Sequence, residues 1–232
     1  MKNEYDYSLA SIYNNLNDIE KYKKEIDYLS NLISENSRIL DVGCGTGIHN
    51  YILSSLGHDC VGIDISKQMI EVANANNKTD ATFINISAEE FIDDKEFDLC
   101  ISLFNVINHV IEVEKLKTFF EKAAQNLKKR GVFVFDCFNS VAVIKSRPLV
   151  KDKSGLTITP EYNPYNGILK MEYTGTSNFT LTHRIWDISL LVELLESAGF
   201  EVKFYKRNTF QELSEDDYKI TFICRRIKWK KL

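Results

Sequence analysis

Nine consecutive residues, Ile39-Leu40-Asp41-Val42-Gly43-Cys44-Gly45-Thr46-Gly47, constrain this chain more than any others. A short apolar run of strand character ends in three glycines at alternate positions, and a helical period begins at once. Glycine is needed where backbone turns tightly, or where a ligand approaches with no Cβ in the way. A strand, glycine loop and helix in that order open a wound α/β sheet, whose ligands sit outside the carboxyl ends of the strands. Seventeen residues past Gly47 comes Asp64, at the end of the next apolar run. An acid there can accept hydrogen bonds from both hydroxyls of a ribose.

Two classes of nucleoside ligand use this geometry. Dinucleotides require a third glycine at position 48, where this chain has Ile48. Their pyrophosphate would also meet Asp41, just ahead of the glycines, and be repelled. The ammonium of a methionyl group would be attracted instead. The sign of that interaction favours S-adenosylmethionine over NAD.

The rest of the chain supports a wound sheet. Strand-like runs fall at 38–42, 59–64, 81–86, 97–103 and 132–138, separated by helical periods at about 47–56, 66–77, 88–92 and 113–128. Leu116, Phe119, Phe120, Ala123 and Leu127 place an apolar stripe on the last of these helices. Gly131, after Lys128-Lys129-Arg130, is expected to close it. Alternation of this kind implies parallel strands with right-handed crossovers. The pattern breaks over 139–186, which holds all three prolines and strand-like runs at 168–174 and 179–185, and reads as an inserted antiparallel subdomain. It resumes with a helix at 188–198 and strands near 201–207 and 219–227. Residues 3–35 suggest two helices, the second carrying Ile26, Leu29 and Ile33.

The net charge of −4 gives the chain no electrostatic reason to seek nucleic acid. Arg225, Arg226, Lys228, Lys230 and Lys231 around Trp229 read as a solvated basic tail. The five cysteines are scattered, never in a CxxC pair, and read as core residues of a reducing compartment. No signal peptide and no membrane-spanning run is visible, so a soluble cytoplasmic protein is expected. His49, His58, His109 and His183 lack metal-ligand spacing, and no metal is expected.

Asp41-Val42-Gly43-Cys44-Gly45-Thr46-Gly47 resembles the first signature motif of the class I S-adenosylmethionine-dependent methyltransferases. Gly62-Ile63-Asp64-Ile65-Ser66 followed by Met69 resembles the second. The likeness continues through Ile86-Ser87-Ala88-Glu89, Phe97-Asp98-Leu99, Gly131-Val132-Phe133-Val134-Phe135-Asp136 and Ala198-Gly199-Phe200, covering most of the chain outside 139–186. It implies a single domain of α/β class: a doubly wound, mostly parallel seven-stranded sheet of the Rossmann-like methyltransferase fold. Its parts would be N-terminal helices (1–36), a cofactor-binding core (37–138), an antiparallel substrate cap (139–186) and a C-terminal completion of the core (187–232). By position, the resemblance lines the cofactor with Gly43, Cys44, Gly45 and Gly47 and sets Asp41 near its methionyl end. It puts Asp64 on the ribose and Ile65 or Met69 on the adenine. Ser87, Ala88 and Glu89 would meet the adenine edge; many relatives have an acid where this chain has Ser87, so the Ala88 backbone is the expected contact. Leu103 would offer its carbonyl to the methionyl amine.

Methyl transfer from a sulfonium needs alignment of nucleophile, methyl and sulfur, exclusion of water and sometimes removal of a proton. His109, one turn past the fourth strand, is placed for a base with an ordinary pKa of about 6.5, or else is a helix-start residue. Leu103-Phe104-Asn105-Val106-Ile107-Asn108-His109, with Tyr13 near the cofactor and the β-rich insertion, resembles enzymes that methylate the amino group of nucleotide-linked deoxysugars. Tyr165, His183 and Trp186 are the expected substrate contacts, the alternative being that such aromatics pack the insertion onto the sheet. His49 and His58 read as packing residues. The acceptor is expected to be a small molecule, methylated on nitrogen or oxygen; oligomeric state stays open. An RNA or protein methyltransferase, a catalytically dead binding protein and an NAD-dependent oxidoreductase are the alternatives. The first should carry a basic face or added module, and the last the missing glycine at 48.

Overall fold

A computed structural model describes residues 19–145, 150–151, 157–175 and 178–227. Its first half runs α1 (Ile19–Ser30), β1 (Arg38–Val42), α2 (Ile48–Ser55), β2 (Asp59–Asp64), α3 (Lys67–Asn76), β3 (Thr82–Asn85) and β4 (Phe97–Ser102). Two helices, α4 (Val106–His109) and α5 (Val113–Asn126), precede β5 (Leu127–Phe138) and α6 (Ser140–Lys145). Then come β6 (Val150–Lys151), β7 (Thr157–Asn163), β8 (Ile168–Thr174), β9 (Phe179–Arg184), α7 (Ile188–Ser197), β10 (Phe200–Lys206) and β11 (Lys219–Arg226).

Seven strands form one sheet in the order β10-β11-β5-β4-β1-β2-β3. Only β11 runs against its neighbours; it is antiparallel to both β5 and β10. The sheet is the mixed, mostly parallel one of the methyltransferase fold. Its inner strands are buried on both faces because helices cover both. On one face Ile26 and Leu29 of α1, Leu53 of α2 and Ala73 of α3 pack on Ile39, Leu99 and Ile101. On the other, Leu116, Phe119 and Phe120 of α5 and Leu191 and Leu195 of α7 pack on Leu40, Phe133, Phe135 and Phe222. Phe120 is fully buried, and burial of that order contributes about 1.5–3 kcal/mol per side chain. Local signals agree with this packing: Ser66 accepts from Met69 N–H at the start of α3, and Asp187 from Ser189 N–H at the start of α7.

A second sheet, β6-β7-β8-β9, is antiparallel throughout. It is tied to the main sheet through α4. Asn108 donates to the Arg184 carbonyl (2.7 Å) and accepts from Phe138 N–H (3.2 Å). The Trp186 indole donates to the Ile107 carbonyl (3.2 Å).

Several expectations need correction. Residues 88–92 form a turn and no helix. The helix expected to end at Gly131 ends at Asn126, and the left-handed residue is Arg130 (φ 68°). Gly131 serves close approach, since a Cβ there would lie 2.9 Å from the Lys128 carbonyl oxygen. β7 is a full strand despite Pro160. The proline stands opposite Met171 of β8. Ile33 lies beyond α1. The first expected N-terminal helix, Tyr13 and the tail from Lys228 on lie outside the described residues.

Candidate active site

β1 has β2 on one side and β4 on the other, so the loops leaving β1 and β4 part at the carboxyl edge. The crevice between them holds a cavity of about 480 Å³. Twelve of the expected site residues line it: Asp41, Gly43, Cys44, Gly45, Asp64, Ile65, Met69, Ser87, Ala88, Glu89, Leu103 and His109. Gly47 does not; it starts α2 at φ 82°, and a Cβ there would come within 2.6 Å of the Phe83 ring.

The glycine loop and Asp64 form one unit. Gly45 N–H donates to Asp64 Oδ2 (2.9 Å) and Ser66 N–H to Oδ1 (2.8 Å). Burial raises the Asp64 pKa and these two bonds oppose the rise. Gly45 has φ 55°, and a Cβ built on it would meet nothing within 4 Å. Its open side is therefore space in which a ligand can lie against bare backbone.

Asp41 is 2% exposed, and its Oδ2 has no hydrogen-bond partner. Burial pushes its pKa up to about 7; nearby Asp64 adds to the rise and His49 opposes it. A buried carboxylate oxygen left unpaired at the wall of a cavity suits a cationic ligand group. The residues present thus fit S-adenosylmethionine: an acid for the ammonium, a second for the ribose, bare glycine backbone between them, and Ile65, Met69 and Ala88 for a flat apolar ring.

Beyond β4 the backbone is strained. Phe104 (φ 62°) and Asn105 (φ 63°) are consecutive left-handed residues without a glycine, a conformation costing on the order of 1–2 kcal/mol each. Asp136, at the end of β5, holds the turn by accepting from Asn105 N–H (2.6 Å). The Phe104 ring so placed meets Tyr22 and His49, with all three ring centroids within 5.4 Å of one another. Tyr22, His49 and Phe104 all line the cavity. Behind them Glu25, 2% exposed, lies 3.1 Å from His49 Nε2 through Oε2, while Oε1 accepts from Arg207 (2.7 Å) and Asn208 (3.1 Å). Arg207 also approaches Asp136 at 3.4 Å, an ion contact and not a directed hydrogen bond. Sequence reasoning missed Tyr22, Glu25, Phe104 and Arg207 and gave His49 to packing. Glu25 and Arg207 are 182 residues apart, a pairing no local pattern carries. His58 does serve local structure, accepting from Ser37 N–H (3.2 Å).

His109 reaches the cavity but not with an ordinary imidazole pKa. Burial lowers its pKa to about 4, against a hydrogen bond with the Thr182 backbone that raises it. The three expected substrate residues are not brought to the cavity. His183 is buried between His109 and Phe138, with ring centroids 4.4 and 5.4 Å away. Trp186 is 1% exposed within the main core, because its indole is the anchor of the second sheet. Tyr165 is 99% exposed in the turn between β7 and β8, too far out on the hairpin to be covered.

Known proteins share this fold and family. Residues 39–131 match the family described as "Methyltransferase domain". An uncharacterised protein of Methanocaldococcus jannaschii is 34% identical over 204 residues, 87% of this chain and 76% of that one. A ubiquinone biosynthesis O-methyltransferase of Pelagibacter ubique is 32% identical over 108 residues, only 45% of this chain and 43% of that enzyme. Among solved structures, the CcbJ methyltransferase of Streptomyces caelestis superposes with a TM-score of 0.83 at 14% identity, covering 95% and 96% of the two chains. The sugar N-methyltransferase KedS8 of a Streptoalloteichus species gives 0.73 at 16% identity, covering 97% and 94%. At such identities these two likenesses speak for the fold alone. Glycine loop, paired acids, strand order and matched relatives converge, and the chain belongs to the class I S-adenosylmethionine-dependent methyltransferases.

Proposed function

We propose that this enzyme methylates an amine nitrogen of a small polar molecule, with an amino sugar as the leading class. The observation that carries this is the character of the cavity wall. Among the described lining residues are four carboxylates, Asp41, Asp64, Glu89 and Glu112, and a single lysine, Lys115, already paired with Glu112 at 3.0 Å. Such a wall attracts cationic groups and repels the phosphates of a nucleic acid. His109 supports nitrogen over oxygen as the acceptor. With its pKa near 4 it is neutral at pH 7 but a poor taker of a hydroxyl proton. An amine can lose its proton to solvent before attack, needing only alignment and a dry site. S-adenosylmethionine, when bound, supplies the activated methyl group, so the protein's share is orientation and exclusion of water.

The antiparallel sheet is in our reading a cap beside this crevice, joined to α4 by the bonds of Asn108 with the Arg184 carbonyl and of Trp186 with the Ile107 carbonyl. All five cysteines are unpaired and buried, which suits a reducing compartment. No helix of the described residues is long and apolar enough to cross a membrane. The test is transfer of a labelled methyl group from S-adenosylmethionine to separate pools of amino sugars, nucleotide-linked amino sugars, simple amines and hydroxylated metabolites. Label should enter an amine pool. Incorporation confined to the hydroxylated pool would overturn the nitrogen assignment and return attention to oxygen.

A further inference from the structure

S-adenosylmethionine ends in an amino acid, so its site must satisfy a carboxylate as well as an ammonium. Asp41 suits the ammonium, and a cation is needed for the carboxylate. Among the described lining residues only His49, His109 and Lys115 can carry positive charge. Lys115 is paired with Glu112 and belongs to α5, on the face of the sheet opposite α1 and α2. His109 has its ring packed at a tilt against His183. His49 is left, and it stands beside Asp41 at the first turn of α2.

We propose that His49 receives the α-carboxylate of the cofactor, with Glu25 and Arg207 as positioning residues that hold its ring. This rests on reading the cavity as the cofactor site. Glu25 Oε2 faces His49 Nε2 at 3.1 Å, which makes Nε2 the donor to Glu25 and fixes the ring. The other oxygen, Oε1, is occupied by Arg207 and Asn208, so Glu25 is already matched in charge. The acid therefore orients the imidazole without needing its proton for neutralisation. No hydrogen bond of His49 Nδ1 is present among the described residues, so with Nε2 turned to Glu25 it is Nδ1 that remains to donate to a carboxylate. Tyr22 and Phe104 flank the ring and keep water from screening the pair. Asp41 and His49 together then match the zwitterion, acid to ammonium and imidazolium to carboxylate.

The test is calorimetric titration of the full chain with three probes. These are S-adenosylhomocysteine, its decarboxylated analogue 5′-S-(3-aminopropyl)-5′-thioadenosine, and 5′-methylthioadenosine. A charged hydrogen bond implies that wild type prefers S-adenosylhomocysteine to the decarboxylated analogue by about tenfold or more. His49→Leu should abolish that preference, weakening S-adenosylhomocysteine and leaving the analogue within about threefold, the non-additivity of a coupled pair. His49→Asn, whose amide can stand where Nδ1 stood, should restore part of it. Equal loss for both ligands in His49→Leu, or no loss for either, overturns the proposal. If His49→Leu does not fold, a wild type without the preference overturns it equally. Binding of 5′-methylthioadenosine without any preference for the carboxylate would sink His49 alone. Failure of all three probes to bind would sink the cofactor reading itself.

Discussion

The imidazole of His109 lies with its ring centroid 4.4 Å from that of His183, the two planes 46° apart, in a site closed on its far side by the edge of Phe138. Two neighbouring histidines in such a place are tolerated only while both are neutral, and burial first, then mutual repulsion, drives the His183 pKa far below its usual value.

This pair should make the protein acid-sensitive. In the unfolded chain both histidines take protons below about 6.5, while the folded chain refuses them until far lower pH. Their contribution is complete above 6.5 and is lost as pH falls below it, down to about 4 for His109 and lower still for His183. Urea midpoints at pH 7.5 and 5 should show a larger acid loss for wild type than for His183→Phe. The same loss in both proteins would show that the pair does not govern the response.

Asp41 should act with the opposite sign. Its folded pKa of about 7 stands above the unfolded value, so its ionisation costs stability increasingly as pH rises from 4 to 7 and the cost is constant above that. Asp41→Asn should therefore gain stability relative to wild type across that window. It should also bind S-adenosylhomocysteine more weakly, and the ratio of wild-type to variant affinity should rise between pH 6 and 8 as the wild-type carboxylate forms. Denaturant melts and calorimetry of both proteins at three pH values check the two features; an affinity ratio that falls on raising the pH contradicts the assignment.

The last two glycines of the loop should separate binding from folding. Gly45→Ala puts a methyl group into open cavity, so S-adenosylhomocysteine affinity should drop while the protein keeps its fold, at a backbone cost of about 1–2 kcal/mol. Gly47→Ala bears that cost and also drives a methyl group to 2.6 Å from Phe83, so its loss should exceed about 2 kcal/mol. Denaturant melts paired with ligand titrations distinguish them, and equal stability of the two variants would be the adverse result.

Tyr165 and Trp186 form another contrast. Tyr165→Ala should change neither acceptor KM nor stability by more than about 0.5 kcal/mol, because the side chain is almost wholly exposed. Trp186→Ala removes a fully packed indole and its bond to Ile107, for a loss of about 3–5 kcal/mol. A Tyr165→Ala enzyme with a strongly raised KM would bring the hairpin tip back into the substrate site.

What was legible in the sequence is what repeats or punctuates locally. β1, β2 and β8 run where their apolar runs predict, and the stripe of α5 faces the core as its spacing requires. The glycine loop and Asp64 declared themselves because the chemistry needs those residue types within one strand–turn–helix unit. β7 was hidden by Pro160, a residue that argues against a strand when read from sequence alone. The back wall was hidden for a deeper reason. Nothing near His49 in sequence says that Glu25 will bond its Nε2, or that Arg207 will neutralise Glu25, because those encounters are made by the closing of the sheet.

The placement of Arg207 and Asn208 between β10 and β11 has a consequence for the order of assembly. On a ribosome, the glycine loop, Glu25 and β1 to β5 emerge well before the guanidinium that Glu25 and Asp136 require. Until the final hairpin is translated, both acids face a half-built sheet edge, and β5 lacks the strand that will cover it. Contacts of such long sequence separation form late and slowly. The nascent enzyme therefore waits on its last two strands for a finished cofactor pocket, and a chaperone that shields β5 meanwhile would be guarding the site itself.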